Sequence, residues 1–286
     1  MDIGIGLPTT IAGTTGEQVV EWARRADRAG FSSLGTIDRL VYDNYEPLIA
    51  LAGAAGATER IRLLTSVLLT PLRTNAALLA KQAASLQKLS NGRLVLGMGV
   101  GGRDDDFDAS GVPMAERGRR MDEALAEMTA IWAGEERGFA GAIGPDVRDK
   151  PPSVILGGGA DATFRRAAQY GDGWVLGGQP PEAFVEPRDK LRASFREADR
   201  SERPRALAIT YFSLDDDPES QAQATIGDYY SFLGDYAEQI VGYVAKGEDQ
   251  IRERVRGFEA VECDELILFP SSPDPEQVDK LAAAVL

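Results

Sequence analysis

The chain has 286 residues, of which 43% are hydrophobic and 27% charged, and its formal net charge at pH 7 is −14. This composition is typical of a globular protein with a large core, and the excess of acids disfavours binding to nucleic acid or to anionic lipid. Because the chain contains no histidine, Ser-His-Asp and Cys-His catalytic systems and the common zinc sites are excluded, and an enzyme of this composition would rely on a cofactor.

In the first half of the chain, apolar segments of strand length alternate with segments of helical periodicity. We predict strands at Ile3–Leu7, Ser33–Ile37, Ile61–Leu69 and Arg93–Met98. The predicted helices are one that ends at Gly30, one at Pro47–Gly56, one through Ala76–Leu86 and one through Met121–Trp132. The third strand is apolar on both faces, as a buried parallel strand should be.

The same alternation resumes after a loop rich in glycine and proline at residues 134–152. Strands are predicted at Ser153–Leu156, Gly173–Leu176, Ala206–Phe212 and Asp264–Phe269, with helices at Asp161–Tyr170, Pro181–Asp199 and Pro275–Val285. Eight strands that alternate with helices predict an α/β fold, namely a closed (β/α)8 TIM barrel that spans residues 1–286 as a single domain.

Between the seventh and eighth predicted strands, residues 213–263 exceed what a single helix needs. Asp215, Asp216 and Asp217 open this insertion, which also carries the aromatic residues Tyr229, Tyr230, Phe232, Tyr236 and Tyr243. Two interpretations are open. The insertion either adds helices to the outside of the barrel or covers its mouth and shapes a substrate pocket.

The single cysteine, Cys263, cannot form an internal disulfide and precedes an apolar run, which predicts a small buried residue. The opening residues lack the features of a signal peptide, and no apolar run is long enough to span a membrane. We therefore expect a cytoplasmic protein without membrane contact.

The glycine-rich stretch at residues 94–113 matches the pattern G-x-G-x-x-G at Gly97, Gly99 and Gly102. A dinucleotide site needs a helix directly after the third glycine. Here we predict no helix before Pro113, and the intervening aspartates would repel a phosphate. The run lacks the spacing of a calcium loop, so we predict no metal site and a solvated acidic loop. The glycines would leave bare backbone at a strand end, where a flat ligand could lie close.

A better phosphate site is predicted at Gly157, Gly158 and Gly159, which lead directly from a strand into a helix near Asp161. The free N–H groups and positive end of that helix would attract an anion, and Thr163 adds a hydroxyl in its first turn. A tight turn that merely requires glycine is the alternative. Because no acid follows the next strand, a ribose partner for a dinucleotide is missing, and a mononucleotide phosphate fits better.

Four stretches of the chain resemble the luciferase-like flavin-dependent oxidoreductases, a family with the TIM-barrel fold. They are IGIGLP at residues 3–8, WARRADRAGFSSLGTIDR at residues 22–39, the long segment at residues 65–125, and PPSVILGGGADATFRRAAQYGDGW at residues 151–174. The match covers roughly residues 1–178. The long third stretch is the most specific to the family, and the fourth resembles its phosphate-binding turn.

The resemblance implies a role for individual residues. The positions assigned to the cofactor are Leu7, Ser66, Val67, Gly99, Val100, Gly157, Gly158, Gly159, Ala160 and Thr163. It further implies a cis bond between Ser66 and Val67. Asp38 and Arg39 fall where many members have Asp-His, and the arginine is a departure that questions a histidine-based proton transfer. Without histidine we assign proton handling to Asp38 or to Tyr211, and an electrostatic role to Arg39.

Members of the family use either reduced FMN with oxygen or the deazaflavin coenzyme F420. The leading hypothesis is a monooxygenase that uses reduced FMN to oxidise a small organic substrate. A separate flavin reductase would supply the reduced FMN, and the enzyme is expected to be a homodimer. The alternatives are an F420-dependent dehydrogenase or reductase, a non-catalytic flavin-binding protein, and a sugar-phosphate isomerase or lyase. The last is weakened because no lysine lies at a strand end.

Overall fold

A computed structural model describes the backbone of residues 1–286 and every side chain except that of Tyr236. The insertion's Tyr236 side chain therefore lies outside the described residues. Eight strands form the main sheet: β1 (Asp2–Gly6), β2 (Ser33–Thr36), β3 (Arg62–Thr65), β5 (Leu94–Gly99), β6 (Ser153–Gly157), β7 (Gly173–Leu176), β8 (Arg205–Ser213) and β10 (Glu265–Pro270). Two short strands extend it: β4 (Leu68–Leu69) and β9 (Ala245–Lys246).

The helices lie between the strands in chain order. They are α1 (Gly16–Ala29), α2 (Pro47–Ala57), α3 (Ala76–Leu89), α4 (Asp104–Ser110), α5 (Arg117–Trp132), α6 (Asp161–Tyr170), α7 (Val185–Glu197), α8 (Pro218–Ala222), α9 (Asp235–Gly242), α10 (Gly247–Ala260) and α11 (Glu276–Val285). Helix α1 shows why the boundaries are sharp: Thr15 and Gln18 form a capping box at its start, and Gly30 ends it with φ 99°.

All of the strands pair in parallel, and the sheet closes on itself. The order is β1, β2, β3, β5, β6, β7, β8 and β10, and β10 pairs with both β8 and β1. At the seam, Asp2–Ile5 lie opposite Glu265–Leu268. The predicted closed (β/α)8 barrel is confirmed, and the carboxyl ends of its strands meet at one mouth.

The core has two layers. The outer layer fills the space between strands and helices and includes Trp22, Leu51, Phe164 and Trp174. The inner layer fills the barrel with side chains such as Ile155, which are joined by residues of the insertion. No helix among the described residues is both long and apolar enough to cross a membrane.

The insertion covers the barrel mouth, which decides between the two interpretations of its role. It contains α8, a π-helical turn at Gln223–Gly227, a 3-10 turn at Ser231–Leu233, and α9. Its side chains Ile226, Tyr229 and Ile240 are buried against the inner layer of the barrel core. The insertion is therefore a lid, by which we mean residues 214–244.

The predicted solvated loop after β5 is wrong, because helix α4 begins at Asp104 directly after Arg103. The physical reason is local: three aspartates in its first turn interact favourably with the positive end of the helix, and Gly111 ends it in the left-handed conformation with φ 69°. Asp106 is also not solvated, since it is buried. A dinucleotide at this helix is therefore disfavoured only by the negative charge of the first helical turn, and no longer by the absence of a helix.

The predicted third strand at Ile61–Leu69 is interrupted in the middle. Strand β3 ends at Thr65, the Ser66–Val67 peptide bond is cis, and the chain resumes as β4 beside β5. The cis bond that the resemblance implies is therefore present. The interruption turns the Val67 side chain toward the barrel mouth, where it becomes part of the site described next.

Candidate active site

Two adjoining cavities open at the carboxyl ends of the strands. The first, the glycine groove, has a volume of about 410 Å³ and is bounded by residues 157–159, Trp174 and Pro187. The second, the aromatic chamber, has a volume of about 240 Å³ and lies between residues 37–39 and the lid. Ser66, Val67, Gly177 and Ile209 border both cavities, so that a ligand in one would contact a ligand in the other.

A larger cavity of about 970 Å³ lies at the opposite face of the barrel and is lined by Met1, Asp2 and six arginines. Arg203 and Arg205 are paired there with Asp264 and Glu265. Because the amino ends of barrel strands serve stability rather than catalysis, we place the active site at the other face despite the smaller volume.

The glycine groove lies beside the start of α6, where the first backbone N–H groups have no acceptor within the helix except for that of Thr163, which donates to the Ala160 carbonyl at 2.8 Å. The N-cap of α6 is Ala160, and no side chain caps the helix. Gly158 has φ +124°, a conformation that favours glycine, and its carbonyl accepts a hydrogen bond from the Trp174 indole at 2.8 Å. Thr163 adds a buried hydroxyl group. The turn is therefore held open and rigid beside N–H groups that an anion can satisfy.

Val67 packs into a notch that two strand-end glycines create. A Cβ atom on Gly99 would lie 2.5 Å from one Val67 methyl group, and a Cβ atom on Gly157 would lie 2.6 Å from the other. Any other residue at either position would collide with Val67. Gly99 was expected to give a ligand close access to bare backbone, whereas it makes room for Val67.

Ser66 presents a polar atom with no partner. Its backbone N–H donates to the Thr36 carbonyl at 2.7 Å, but its buried Oγ has no hydrogen-bond partner among the described residues. A buried hydroxyl without a partner is costly, because it has lost its hydrogen bonds to water. Since Ser66 borders both cavities, a ligand there would supply the missing bond.

Asp38 acts as a clamp between two strand ends. Its Oδ2 accepts hydrogen bonds from the Leu69 backbone N–H at 2.7 Å and from the Arg73 guanidinium at 2.8 Å. Burial raises the pKa of Asp38, and the Arg73 charge and the Leu69 N–H oppose that rise. This one carboxylate oxygen thus fixes the chain after β2 against β4.

Arg39 and Asp38 are neighbours in the chain but do not pair with each other. Its Nε donates to Asp106 at 3.1 Å, and its Nη2 donates to Asp105 at 3.0 Å and to the Val41 carbonyl at 2.7 Å. The side chain is only 3% exposed, and Asp106 is only 1% exposed. The strand end after β2 is thereby tied to α4.

Tyr42 and two lid residues, Tyr229 and Phe232, supply aromatic faces to two arginines. The guanidinium carbon of Arg39 lies 5.3 Å from the Tyr42 ring centre and 5.4 Å from that of Tyr229. Arg103 stacks over Phe232 at 3.2 Å. These cation–π contacts hold the lid over the chamber and are strengthened by exclusion of water.

Tyr211 and Tyr230 form a hydroxyl pair at the wall of the aromatic chamber, with an O–O distance of 2.6 Å. Burial and the neighbouring tyrosines raise the pKa of Tyr211 well above its ordinary value. Tyr211 is therefore a neutral hydroxyl that can donate a proton in a hydrogen bond, but it cannot act as a base at neutral pH.

The structure brings most of the assigned residues to the two cavities. Gly99, Val100, Ala160 and Thr163 line neither cavity, and nor does Leu7, whose side chain is fully buried in the outer core layer. Val100 likewise packs against the outer layer. Sequence reasoning missed Arg103, Asp106, Trp174 and Tyr230. Only the aromatic residues and the Arg-Asp run gave a signal, and it was not specific for a site.

No group of three or more Cys, Asp or Glu side chains among the described residues is arranged to hold a metal ion. The burial of Cys263 agrees with its prediction: burial raises the pKa of its thiol to about 12, and the side chain is 5% exposed.

Comparison with known proteins supplies a family. The model of a family described as luciferase-like monooxygenase matches residues 1–260. An uncharacterized protein of Mycobacterium tuberculosis H37Rv is 34% identical over 189 residues, which cover 56% of this chain and 65% of that protein, just under two thirds of its length. An F420-dependent glucose-6-phosphate dehydrogenase of Amycolatopsis mediterranei is 28% identical over 196 residues, covering 63% of this chain and 58% of that enzyme. A crystal structure of a monooxygenase from Streptomyces bottropensis superimposes with a TM-score of 0.81 at 21% identity, over 100% of this chain and 98% of that one.

Proposed function

Because this chain belongs to the luciferase-like monooxygenase family, we propose that it is an oxidoreductase that binds a flavin-type cofactor in the glycine groove and a small organic substrate in the aromatic chamber. The proposal rests on two sets of hydrogen-bonding groups without partners beside one groove. The N-terminus of α6 has no cap at one end, and the Ser66 Oγ has no partner near the other.

The residues of the groove fit a cofactor with a phosphate and a planar ring. The phosphate would accept hydrogen bonds from the backbone N–H groups at Gly159 and Ala160 and from Thr163. Val67 would contact the ring, and the Ser66 hydroxyl would donate a hydrogen bond to it. Reduced FMN would supply electrons to oxygen, whereas F420 would supply a hydride, and in both cases the cofactor brings the reactivity.

The chain's own residues bind, orient and shield. Arg39 would stabilise negative charge that develops on the substrate, because it is a fixed donor in a site with little water. Tyr211 would donate a hydrogen bond to a substrate oxygen through its neutral hydroxyl. Asp38 would act indirectly as a positioning residue, since both of its described partners lie in the scaffold. The lid would exclude water from the chamber.

The leading form of the proposal is a monooxygenase with reduced FMN, for which a separate flavin reductase would be the partner. An F420-dependent dehydrogenase is the second candidate. One sequence relative with a stated activity, the Amycolatopsis enzyme, is F420-dependent, and this supports the second candidate. A homodimer in solution remains a prediction for both.

The experiment compares Gly159→Glu with Gly16→Glu. Both glycines precede or begin a helix, and a Cβ atom on either would meet nothing within 4 Å, so neither change strains the fold. In Gly159→Glu the new carboxylate would take the place of the phosphate, and we expect affinity to fall by about a hundredfold or more through like-charge repulsion. In Gly16→Glu affinity should stay at the wild-type value.

The measurement is fluorescence titration of the purified protein with FMN, with anaerobically reduced FMN and with F420, together with far-UV circular dichroism. The tightest of the three ligands identifies the cofactor. Unchanged affinity in a folded Gly159→Glu variant would refute the assignment of the groove. Binding without turnover of any tested substrate would favour the non-catalytic flavin-binding alternative.

A further inference from the structure

The aromatic chamber contains hydrogen-bond donors without acceptors. The terminal nitrogens Nη1 of Arg39 and Arg103 are buried, and neither has a hydrogen-bond partner among the described residues. Both side chains border the chamber, and that of Arg39 is 97% buried. A buried guanidinium N–H without an acceptor is costly, so the chamber is built to receive an acceptor atom from a ligand.

The charges around these donors are already balanced by the protein. Three guanidinium groups and five carboxylates lie in or beside the chamber: Arg39, Arg73, Arg103, Asp38, Glu46, Asp105, Asp106 and Asp228. The carboxylates outnumber the guanidinium groups, and the whole chain carries a net charge of −14. An anionic substrate would therefore be repelled, although it would meet arginines.

A cationic substrate is disfavoured for a different reason. Arg39 already lies over the Tyr42 and Tyr229 rings, and Arg103 lies over Phe232, so these aromatic faces are occupied. A cation in the chamber would lie beside two guanidinium groups of the same charge and would leave their unpaired N–H donors unsatisfied. Only an uncharged acceptor meets the need without adding charge.

The size and walls of the chamber limit the rest of the molecule. Its volume is about 240 Å³, whereas a dry cavity of about 150 Å³ accepts benzene. A single ring with small substituents would fill it. The lining also includes the apolar side chains of Leu69, Phe107 and Ile209.

We propose that the substrate is an uncharged molecule of about the size of one ring, whose acceptor oxygen, such as a ketone carbonyl, is held by Nη1 of Arg39 and of Arg103. The inference rests on the proposed function, because it assigns the aromatic chamber to the substrate. It adds the chemical class of that substrate and a specificity role for Arg103, which the sequence did not single out.

The test uses four probes with the same ring: cyclohexanone, methylenecyclohexane, cyclohexanecarboxylate and cyclohexylammonium. Methylenecyclohexane matches the shape of the ketone but lacks the acceptor. Binding is measured by calorimetry and by saturation-transfer NMR, on the protein with and without its cofactor. Cyclohexanone should bind with a Kd on the order of 1 mM, as expected for so few atoms, and the other three probes should bind about tenfold more weakly.

The variants Arg103→Met and Arg119→Met separate the site from general effects. Arg119 is an exposed residue of α5 that pairs only with glutamates on its own helix and the turn before it. Arg103→Met should erase the preference for cyclohexanone over methylenecyclohexane, and Arg119→Met should keep it. Thermal melting of each variant checks that it is folded, and the comparison of probes on the wild-type protein needs no variant.

The outcomes distinguish the inference from the proposed function. Tighter binding of cyclohexanecarboxylate, equal binding of all four probes or no binding of cyclohexanone overturns the inference and leaves the cofactor assignment intact. Failure of FMN and F420 to bind would instead overturn the proposed function, whatever the probes do.

Discussion

Arg39 joins three parts of the chain at a point where little water is present. Its Nε and Nη2 bind the carboxylates of Asp106 and Asp105, while rings of Tyr42 and of the lid cover its faces. Asp106 in turn accepts hydrogen bonds from the backbone N–H groups of Leu40 and Val41. A single buried ion pair thus fixes the geometry of the chamber wall, and the cost of burying both charges is offset only while both partners remain.

The first prediction concerns this ion pair. Arg39→Met should lower the free energy of unfolding by about 3–5 kcal/mol, because it leaves the buried Asp106 carboxylate with no ionic partner nearer than Arg103 Nε at 3.8 Å. The double variant Arg39→Met/Asp106→Leu removes both charges and should regain a large part of that loss. Urea denaturation followed by circular dichroism measures both, with Arg119→Met as the surface control. A double variant less stable than Arg39→Met would contradict the prediction.

The second prediction concerns pH. Burial raises the pKa of Tyr211 above its ordinary value of 10.0, so the folded protein holds this proton more tightly than the unfolded chain does. The resulting stability is fully present below pH 10 and is lost as the pH rises toward the folded-state pKa. Tyr211→Phe should therefore show a smaller alkaline loss of stability than the wild type.

The measurement is the urea midpoint between about pH 8 and pH 11, the range around the ordinary tyrosine pKa. Tyr170→Phe, a change on helix α6 remote from the lid, serves as the control and should follow the wild-type curve. Identical curves for Tyr211→Phe and the wild type would show that Tyr211 does not carry this effect.

At the scale of elements, the interruption between β3 and β4 fits against the ends of β5 and β6. Val67 projects from the interruption and fills the space that Gly99 and Gly157 leave open. The two glycines are thus required by packing between strands rather than by their own backbone conformation. The same contact sets the floor shared by the glycine groove and the aromatic chamber.

The third prediction tests this fit. Gly157→Ala should destabilise the protein by about 1–3 kcal/mol, because its Cβ must displace Val67. It should also weaken cofactor binding. Gly157→Ala/Val67→Ala makes room for the new methyl group and should recover most of the lost stability.

Thermal unfolding and FMN or F420 titration measure the two effects. Gly53→Ala in α2 is the matched control, since nothing lies within 4 Å of the added Cβ, and an alanine in a helix should stabilise by up to about 1 kcal/mol. If the Val67→Ala change does not restore stability, the destabilisation by Gly157→Ala must come from a contact other than the one with Val67.

At the scale of the molecule, the barrel closes where its last strand meets its first. Glu265 on β10 is buried at this seam and binds Arg205 of β8 at 2.6 Å and Arg62 of β3 at 3.1 Å. Ser32 donates to the same carboxylate at 2.5 Å. The Glu265 carboxylate therefore links β3, β8 and β10 at the face opposite the proposed active site.

The fourth prediction is that Glu265→Gln lowers stability by about 3 kcal/mol, since two arginines lose their shared partner. That loss corresponds to a decrease in Tm of roughly 6–12 °C for a chain of this size. Glu123→Gln, which breaks an exposed pair with Arg119, should change the free energy by less than about 1 kcal/mol. Calorimetry measures both, and equal Tm values for the two variants would contradict the role of Glu265 at the seam.

Local patterns in the amino-acid sequence were enough to predict the strands and most of the helices in their order. Apolar periodicity located every barrel strand, since the alternation of buried strands and amphipathic helices is written in neighbouring residues, and eight such units imply a closed barrel. The glycines that run into α6 likewise indicated the turn that we propose for phosphate binding, because strand, turn and helix there are contiguous in the chain. Helix α4 was missed because seven residues are too few for a periodic pattern.

Which side chains contact each other depends on the three-dimensional arrangement of the strands, the helices and the lid. Arg39 faces Asp106, Asp38 faces Arg73, and the lid lies over the mouth, although these partners are far apart in sequence. Leu7 was placed at the site by resemblance and lies in the core instead. The physical reason is that a strand's periodicity tells which face is buried but not what packs against it: ion pairs and cavities arise where the barrel brings separate strand ends together.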